Sequence, residues 1–180
     1  MNRLYLSVVF LFISLTQVSA SEKRYEGVDL RNNHAVSVKF SSKKFLVAYF
    51  LNRGCPCSQA HFDHLNDLQK KYKNFSFIGF HSNKTINKES AMEYFSKYKI
   101  DFPILLDKDL IYANQFKAVK TPHVFVLDKE GKTFFQGGAT DSRDPKRAHH
   151  FYLRDALASL SRGENVKVRN AKTIGCYIQR

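Results

Sequence analysis

The chain has 180 residues, 43% of them hydrophobic, which is enough for one domain with a real core. Lys and Arg number 29 against 16 Asp and Glu, a net charge of +13, but they are scattered and not gathered into one motif, which argues for a solvated basic surface and against a nucleic-acid site. Three cysteines exclude a dense disulfide framework, and the odd count leaves at least one thiol free, so redox chemistry and metal binding stay open.

Asn2 and Arg3 make a short polar, positive start. Leu4 to Leu15 is nearly all apolar, and Val18-Ser19-Ala20 offers small residues for cleavage. This is the pattern of a secretory signal peptide over residues 1–20, cut after Ala20, with an apolar core short for a membrane span. It predicts a periplasmic or secreted protein whose single domain is residues 21–180, with no later segment apolar enough to cross a bilayer.

His34 to Phe40 alternates like a half-buried strand, Ser41 to Lys44 makes a polar turn, and Phe45 to Asn52 reads as a buried strand. From Ser58 to Tyr72, Phe62, Leu65, Leu68 and Tyr72 recur at helical spacing. Phe75 to Phe80 is a second buried strand, and Asn87 to Lys99 a helix. A short strand over Phe102 to Leu106 and a helix over Leu110 to Phe116 follow. Thr121-Pro122 precedes the strand Val124 to Leu127, and Asp128-Lys129-Glu130-Gly131 turns the chain into Thr133 to Gln136. A last helix runs from Lys146 to Leu160, and a basic tail carries Cys176. Strands alternating with helices indicate an α/β sheet with parallel pairing, closed by an antiparallel hairpin at one edge.

The stretch from Phe45 to Ser58 carries the most chemistry. A run of β-forming residues ends in Asn52-Arg53-Gly54, and Cys55-Pro56-Cys57 opens a helix. A cysteine there meets unpaired backbone N–H groups and the positive end of the helix dipole. Both favour the thiolate, so the pKa can fall from about 8.5 towards roughly 3.5–7.5. Cys55 is the candidate nucleophile.

A strand ending in a helix-opening Cys-Pro, then a Thr-Pro before a strand, hairpin and last helix, resembles the thioredoxin fold: a central mixed sheet flanked by helices, here with an N-terminal strand extension. More narrowly the chain is similar to bacterial redoxins of the alkyl hydroperoxide reductase/thiol-specific antioxidant type. The segments that carry the likeness are Gly54-Cys55-Pro56-Cys57, Thr121 to Asp128, Asp141-Ser142-Arg143, Leu153 to Leu157, and Thr173 to Ile178. The resemblance implies a cis bond before Pro122, with Thr121-Pro122 facing Cys55 and leaving a backbone edge for a substrate chain. Two departures stand out. Thioredoxins carry a second cysteine where this chain has Ser58. Peroxiredoxins carry a hydroxyl residue and a proline where it has Asn52 and Ala48.

An attacking thiolate on Cys55 would meet a disulfide sulfur or a peroxide oxygen. The resolving thiol is Cys57 or Cys176. Cys57 needs a distorted first helical turn, and is otherwise a thiol packed under the site. Cys176 follows Gly175 in a flexible-looking tail, and atypical two-cysteine peroxiredoxins resolve through such a residue; a Cys57–Cys176 staple or a free tail thiol are the alternatives. Cys57, His61, His64 and Leu68 share one helical stripe, and cysteine with imidazole suits copper(I) or zinc. The buried face is centred near His61, which predicts a hydrogen-bonded core histidine, with His64 solvated. Arg143 would point at the active site or pair with Asp155, and His123 would donate a proton or line the cleft.

These residues predict an exported thiol oxidoreductase with Cys55, Pro56, Cys57, Thr121, Pro122, Arg143 and Cys176 at its site. Its substrate would be a thiol/disulfide protein or a peroxide, and its electrons would come from a protein thiol. Exchange is favoured over peroxide reduction because the hydroxyl before Cys55 is missing. No cofactor beyond the cysteines is required. The competing reading is a copper-delivery module holding the ion on Cys55, Cys57 and His61 without turnover, and a further one is a redox-inactive scaffold.

Overall fold

The computed structural model describes residues 23–39 and 44–180. The export leader expected over residues 1–20 lies outside them, as do Phe40 and most of the turn that follows it.

Two antiparallel strands open the domain, β1 (Arg24–Val28) and β2 (Ala35–Lys39). The central sheet is built from β3 (Phe45–Leu51), β4 (Phe75–His81), β5 (Ile104–Leu106), β7 (His123–Asp128) and β8 (Thr133–Gly137), in the order β5-β4-β3-β7-β8. β3, β4 and β5 run parallel, while β7 and β8 are antiparallel to their neighbours, so the sheet is mixed as expected. Crossing segments carry α1 (Pro56–Ala60), α2 (Phe62–Lys71), α3 (Lys88–Phe95) and α4 (Ile111–Phe116), and α5 (Tyr152–Ser161) follows the hairpin. A two-residue strand, β6 (Lys120–Thr121), pairs with another near the C-terminus, β9 (Cys176–Tyr177).

β3 explains the layering. All seven of its residues are buried, and side chains alternate between faces of a strand. Phe45, Val47, Tyr49 and Leu51 join one core with Leu65 of α2, Phe95 of α3 and Leu157 of α5. Leu46, Ala48 and Phe50 join the opposite core with Ala113 of α4, Tyr25 of β1 and Ile178 of the tail. A strand covered on both faces reads as a continuous apolar run, which is the pattern seen in the sequence. The second core is aromatic: the Phe50 ring stacks on Phe80 at 5.2 Å and meets Phe116 and Phe125 edge-on.

Four expectations needed correction. The helix expected from Ser58 to Tyr72 is two helices broken at His61. There His61 Nδ1 takes the Cys57 carbonyl at 2.7 Å while its own N–H turns to the Ser58 carbonyl, so the side chain replaces the regular backbone bond and the ladder shifts. The last helix starts at Tyr152, with only a 3-10 turn at Pro145–Arg147 before it. The short strand begins at Ile104 and not at Phe102. The tail, which looked loose in sequence, is bound along its length. Gln136 N–H donates to the Arg169 carbonyl and Ala171 N–H to the Gln136 carbonyl, both along β8. Beyond β9, Ile178 N–H donates to the Val119 carbonyl, and Lys84 N–H to the Gln179 carbonyl. Gly137 permits the first of these passages: at φ +139° it lies where a Cβ would come within 2.2 Å of the Ala171 oxygen.

Candidate active site

The carboxyl end of β3 delivers Asn52, Arg53 and Gly54, and Cys55 caps the following helix. The turn is stitched locally. Asn52 Oδ1 accepts from Gly54 N–H at 3.0 Å, and Cys55 N–H donates to the Asn52 carbonyl. Asn52 is therefore spent on the turn, at the position where peroxiredoxins carry a hydroxyl residue. Ser58 is fully buried at the position of the missing second cysteine. Its Oγ accepts from Asn52 N–H at 3.3 Å, and its carbonyl accepts from the Tyr49 hydroxyl. The loop before β7 approaches from the other side. The peptide bond from Thr121 to Pro122 is cis, and the Cys55 thiol donates to the Thr121 carbonyl at 3.0 Å. The expected meeting of Cys55 with Thr121-Pro122 is present.

Cys176 joins them. Strand β9 lies against β6 with Thr121 and Cys176 in register, which places the tail thiol at Cys55. Burial alone would push the Cys55 thiol up. Polar groups of Cys176, Thr121 and Ser58 around the sulfur favour its thiolate, outweigh burial and bring the pKa down to about 7. The Thr121 hydroxyl has no partner in the thiol form, so ionisation of Cys55 gives this buried donor an acceptor. Cys176 lowers it more than Ser58 at the helix start does. The other two thiols move the opposite way. Burial and the Cys55 charge raise Cys57, and burial with its hydrogen bond to Cys55 raises Cys176 to about 11. Arg143 lies near enough for its guanidinium to pull both back down. Asp155, the other partner expected for Arg143, pairs instead with Arg154 at 3.0 Å. Pro56 starts α1 between Cys55 and Cys57.

The histidines do not assemble a metal site. His61 Nδ1 faces the Cys57 carbonyl and Nε2 faces Thr140 Oγ1 at 3.1 Å. A carbonyl can only accept, so Nδ1 carries the proton, while the Thr140 hydroxyl beside Nε2 donates to the Ser142 carbonyl at 3.0 Å. Burial holds the imidazole below its usual range, and hence neutral. Among the described residues no three His, Cys, Asp or Glu side chains are grouped closely enough to hold a metal ion. The copper arrangement of Cys55, Cys57 and His61 is thus not formed. His64 is half-buried against Phe151, with Nε2 unpartnered, and not solvated as expected. His123 packs on Phe125 at 4.4 Å, and burial lowers it to about 4, which keeps the ring neutral at pH 7.

Sequence reasoning missed Tyr49 and Tyr94, which lie near the thiols and whose own hydroxyls are pushed up by burial. Tyr49 was visible only as one apolar residue of a strand, and Tyr94 as one of a helix.

A family model described as thioredoxin-like matches residues 42–133. Among solved structures the chain is similar to an uncharacterized conserved protein from Geobacillus kaustophilus, with a TM-score of 0.71 and 23% identity over 88% of this chain and 89% of that one. It is also similar to a hypothetical protein from Sinorhizobium meliloti, with a TM-score of 0.74 and 21% identity over 87% and 91%. A secreted disulfide oxidoreductase from Mycobacterium tuberculosis superposes with a TM-score of 0.55 and 18% identity over 74% and 94%. No curated protein matches the chain. With its five-stranded mixed sheet, its cis-proline loop and the matched model spanning half its length, the chain belongs to the thioredoxin-like family.

Proposed function

We propose that the protein is an exported thiol-disulfide oxidoreductase in which Cys55 attacks and Cys176 resolves. The observation that carries this is the register of Cys176 opposite Thr121, whose carbonyl accepts from the Cys55 thiol at 3.0 Å; polar groups of Cys176 also help bring the Cys55 pKa down to about 7. At neutral pH about half of Cys55 is thiolate, near the optimum for an attacking thiol. It attacks one sulfur of a partner's disulfide, forming a mixed disulfide and expelling the partner's other sulfur as thiolate, which takes up a proton. The Cys176 sulfur, losing its proton to solvent, then attacks Cys55, releasing the partner's second thiol and leaving a Cys55–Cys176 disulfide. The partner has gained two electrons and the enzyme has lost two. A dithiol protein restores the enzyme by the same exchange in reverse.

Arg143 assists the second step by favouring the Cys176 thiolate. Cys57 is the lesser candidate for resolution, because closing a ring to Cys55 across Pro56 needs the first turn of α1 to distort. Peroxide reduction is the lesser chemistry, because Asn52 is engaged in the turn and leaves no hydroxyl beside the Cys55 sulfur on that side. Export is supported by the leader-like residues 1–20, and no helix among the described residues is long and apolar enough to cross a membrane.

The test is thiol trapping and mass mapping of the full chain after an equimolar disulfide such as oxidised glutathione. A Cys55–Cys176 bond is expected, and a glutathione adduct on Cys55 is expected to accumulate in Cys176→Ser. Cys55 left unmodified under these conditions would overturn the assignment. A Cys55–Cys57 bond formed instead would transfer the resolving role to Cys57.

A further inference from the structure

β6 is a short edge beside the reactive sulfur, and in this chain the edge is occupied. Gly175 to Ile178 lie along it with Cys176 opposite Thr121. The fit makes two demands on the segment that sits there. The residue before the cysteine must lack a side chain, because a Cβ on Gly175 would come within 2.0 Å of the Thr121 oxygen and 3.0 Å of Pro122 Cδ. The residue two after the cysteine must be apolar, because Ile178 enters the second core, where it is 6% exposed. The residue between them is free of such demands: Tyr177 is 70% exposed, with Lys120 Nζ over its ring at 4.8 Å.

Cys55 is fully buried beneath this segment. A partner's disulfide reaches the sulfur only when the tail moves aside, and the tail covers the backbone edge that an extended partner would use. We infer that the tail is an internal stand-in for the partner polypeptide. The partner is an extended, cysteine-bearing segment with glycine before its cysteine and an aliphatic residue two positions after it. It pairs with Thr121 in place of β9, and it competes with the tail for that edge. This inference rests on Cys55 being the attacking thiol.

Competition also orders the two steps proposed above. While the tail is out, the partner pairs with Thr121, its cysteine N–H takes the place of the Cys176 N–H beside the Cys55 sulfur, and exchange follows. As the linked partner peels from the edge, β9 returns and brings Cys176 back to the Cys55 sulfur. Strand addition of this kind takes its affinity from main-chain hydrogen bonds and its selectivity from alternate side chains.

The experiment uses a fluorescent synthetic peptide copying Lys172 to Arg180 with Cys176→Ser, added to the reduced full chain. The peptide has no thiol, so it reports docking without exchange. It is expected to bind the protein variant Ile178→Asp more tightly than the wild type by about tenfold or more, which corresponds to about 1.4 kcal/mol. The variant's own tail is dislodged, whereas the peptide keeps its isoleucine. The protein variant Gly175→Val is expected to behave likewise, with thermal melting used to confirm that both variants fold. A peptide that also carries Gly175→Val is expected not to bind. Equal binding to wild type and both folded variants, no binding to any, or undiminished binding of the valine peptide would each overturn the inference. If wild-type protein shows no exchange at Cys55 while peptide binding still switches, it is the redox reading that falls and the docking edge that stands.

Discussion

Thr121 and Cys176 are register partners across the β6–β9 bridge, and Cys55 lies against both. The first residue offers its carbonyl to the Cys55 thiol; the second offers its N–H and S–H to the same sulfur. The carbonyl favours the protonated form, while the two donors favour the ionised form. Burial raises the Cys55 pKa, and polar groups of Cys176, Thr121 and Ser58 outweigh it, so the pKa comes to rest at about 7.

Removing one donor should move the balance. Cys176→Ala keeps the backbone N–H and deletes the S–H, so the Cys55 pKa is expected to rise above about 7. Each unit of rise is about 1.4 kcal/mol lost from the thiolate. Thiolate ultraviolet absorbance followed against pH, in a Cys57→Ser background, reads the shift. An unmoved midpoint would assign the lowering to the other donors.

Arg143→Ala should separate the two chemical steps. The guanidinium lowers Cys57 and Cys176, and Cys55 owes its lowering chiefly to Cys176 and Thr121. Attack by Cys55 is expected to be unchanged, and release of the mixed disulfide to slow by about 2- to 5-fold, the effect of an exposed charge worth up to about 1 kcal/mol. Rapid-quench trapping of the mixed disulfide distinguishes the steps, and Arg143→Lys should recover most of the rate.

Acid should weaken the fold through its buried histidines. Burial lowers His64, His81 and His123 to about 4. Above the unfolded pKa of about 6.5 the neutral forms cost nothing. As pH falls below that value the unfolded chain takes up protons that the folded chain refuses, so stability declines from about 6.5 down to about 4 and levels off below it. Urea melts across this range should show the decline, with a shallower slope in His81→Gln.

Phe50→Ala should be among the costlier core changes. Phe50 is fully buried and touches the rings of Phe80, Phe116 and Phe125. The loss is expected to be about 3–5 kcal/mol, measured by chemical denaturation. Exchange at Cys55 should survive in the fraction that remains folded, because Phe50 points to the face opposite Tyr49, the side chain near the thiols.

Much of the sheet was legible because strands buried on both faces are apolar throughout and bounded by polar turns. Phe45–Leu51 and Phe75–His81 were both recognisable this way. β1 was not, since Arg24-Tyr25-Glu26-Gly27-Val28 carries one buried aromatic and no clear alternation. Nor was β9, whose residues are both exposed and which owes its form to pairing with Lys120 and Thr121. The break at His61 was hidden for a related reason. Helical spacing continues across it, and only the reach of an imidazole to the Cys57 carbonyl interrupts the ladder.

Local order in the chain was enough to determine the α/β class, the helix-opening position of Cys55 and the Thr-Pro ahead of a strand, because each depends on residues within a few positions of one another. Tertiary structure alone decided which thiol meets Cys55 and what His61 meets beyond its own helix. Those outcomes depend on contacts between distant parts of the chain: Cys55 with Thr121 across 66 positions and His61 with Thr140 across 79. Spacing in sequence carries no information about such distances until the sheet has brought the segments together.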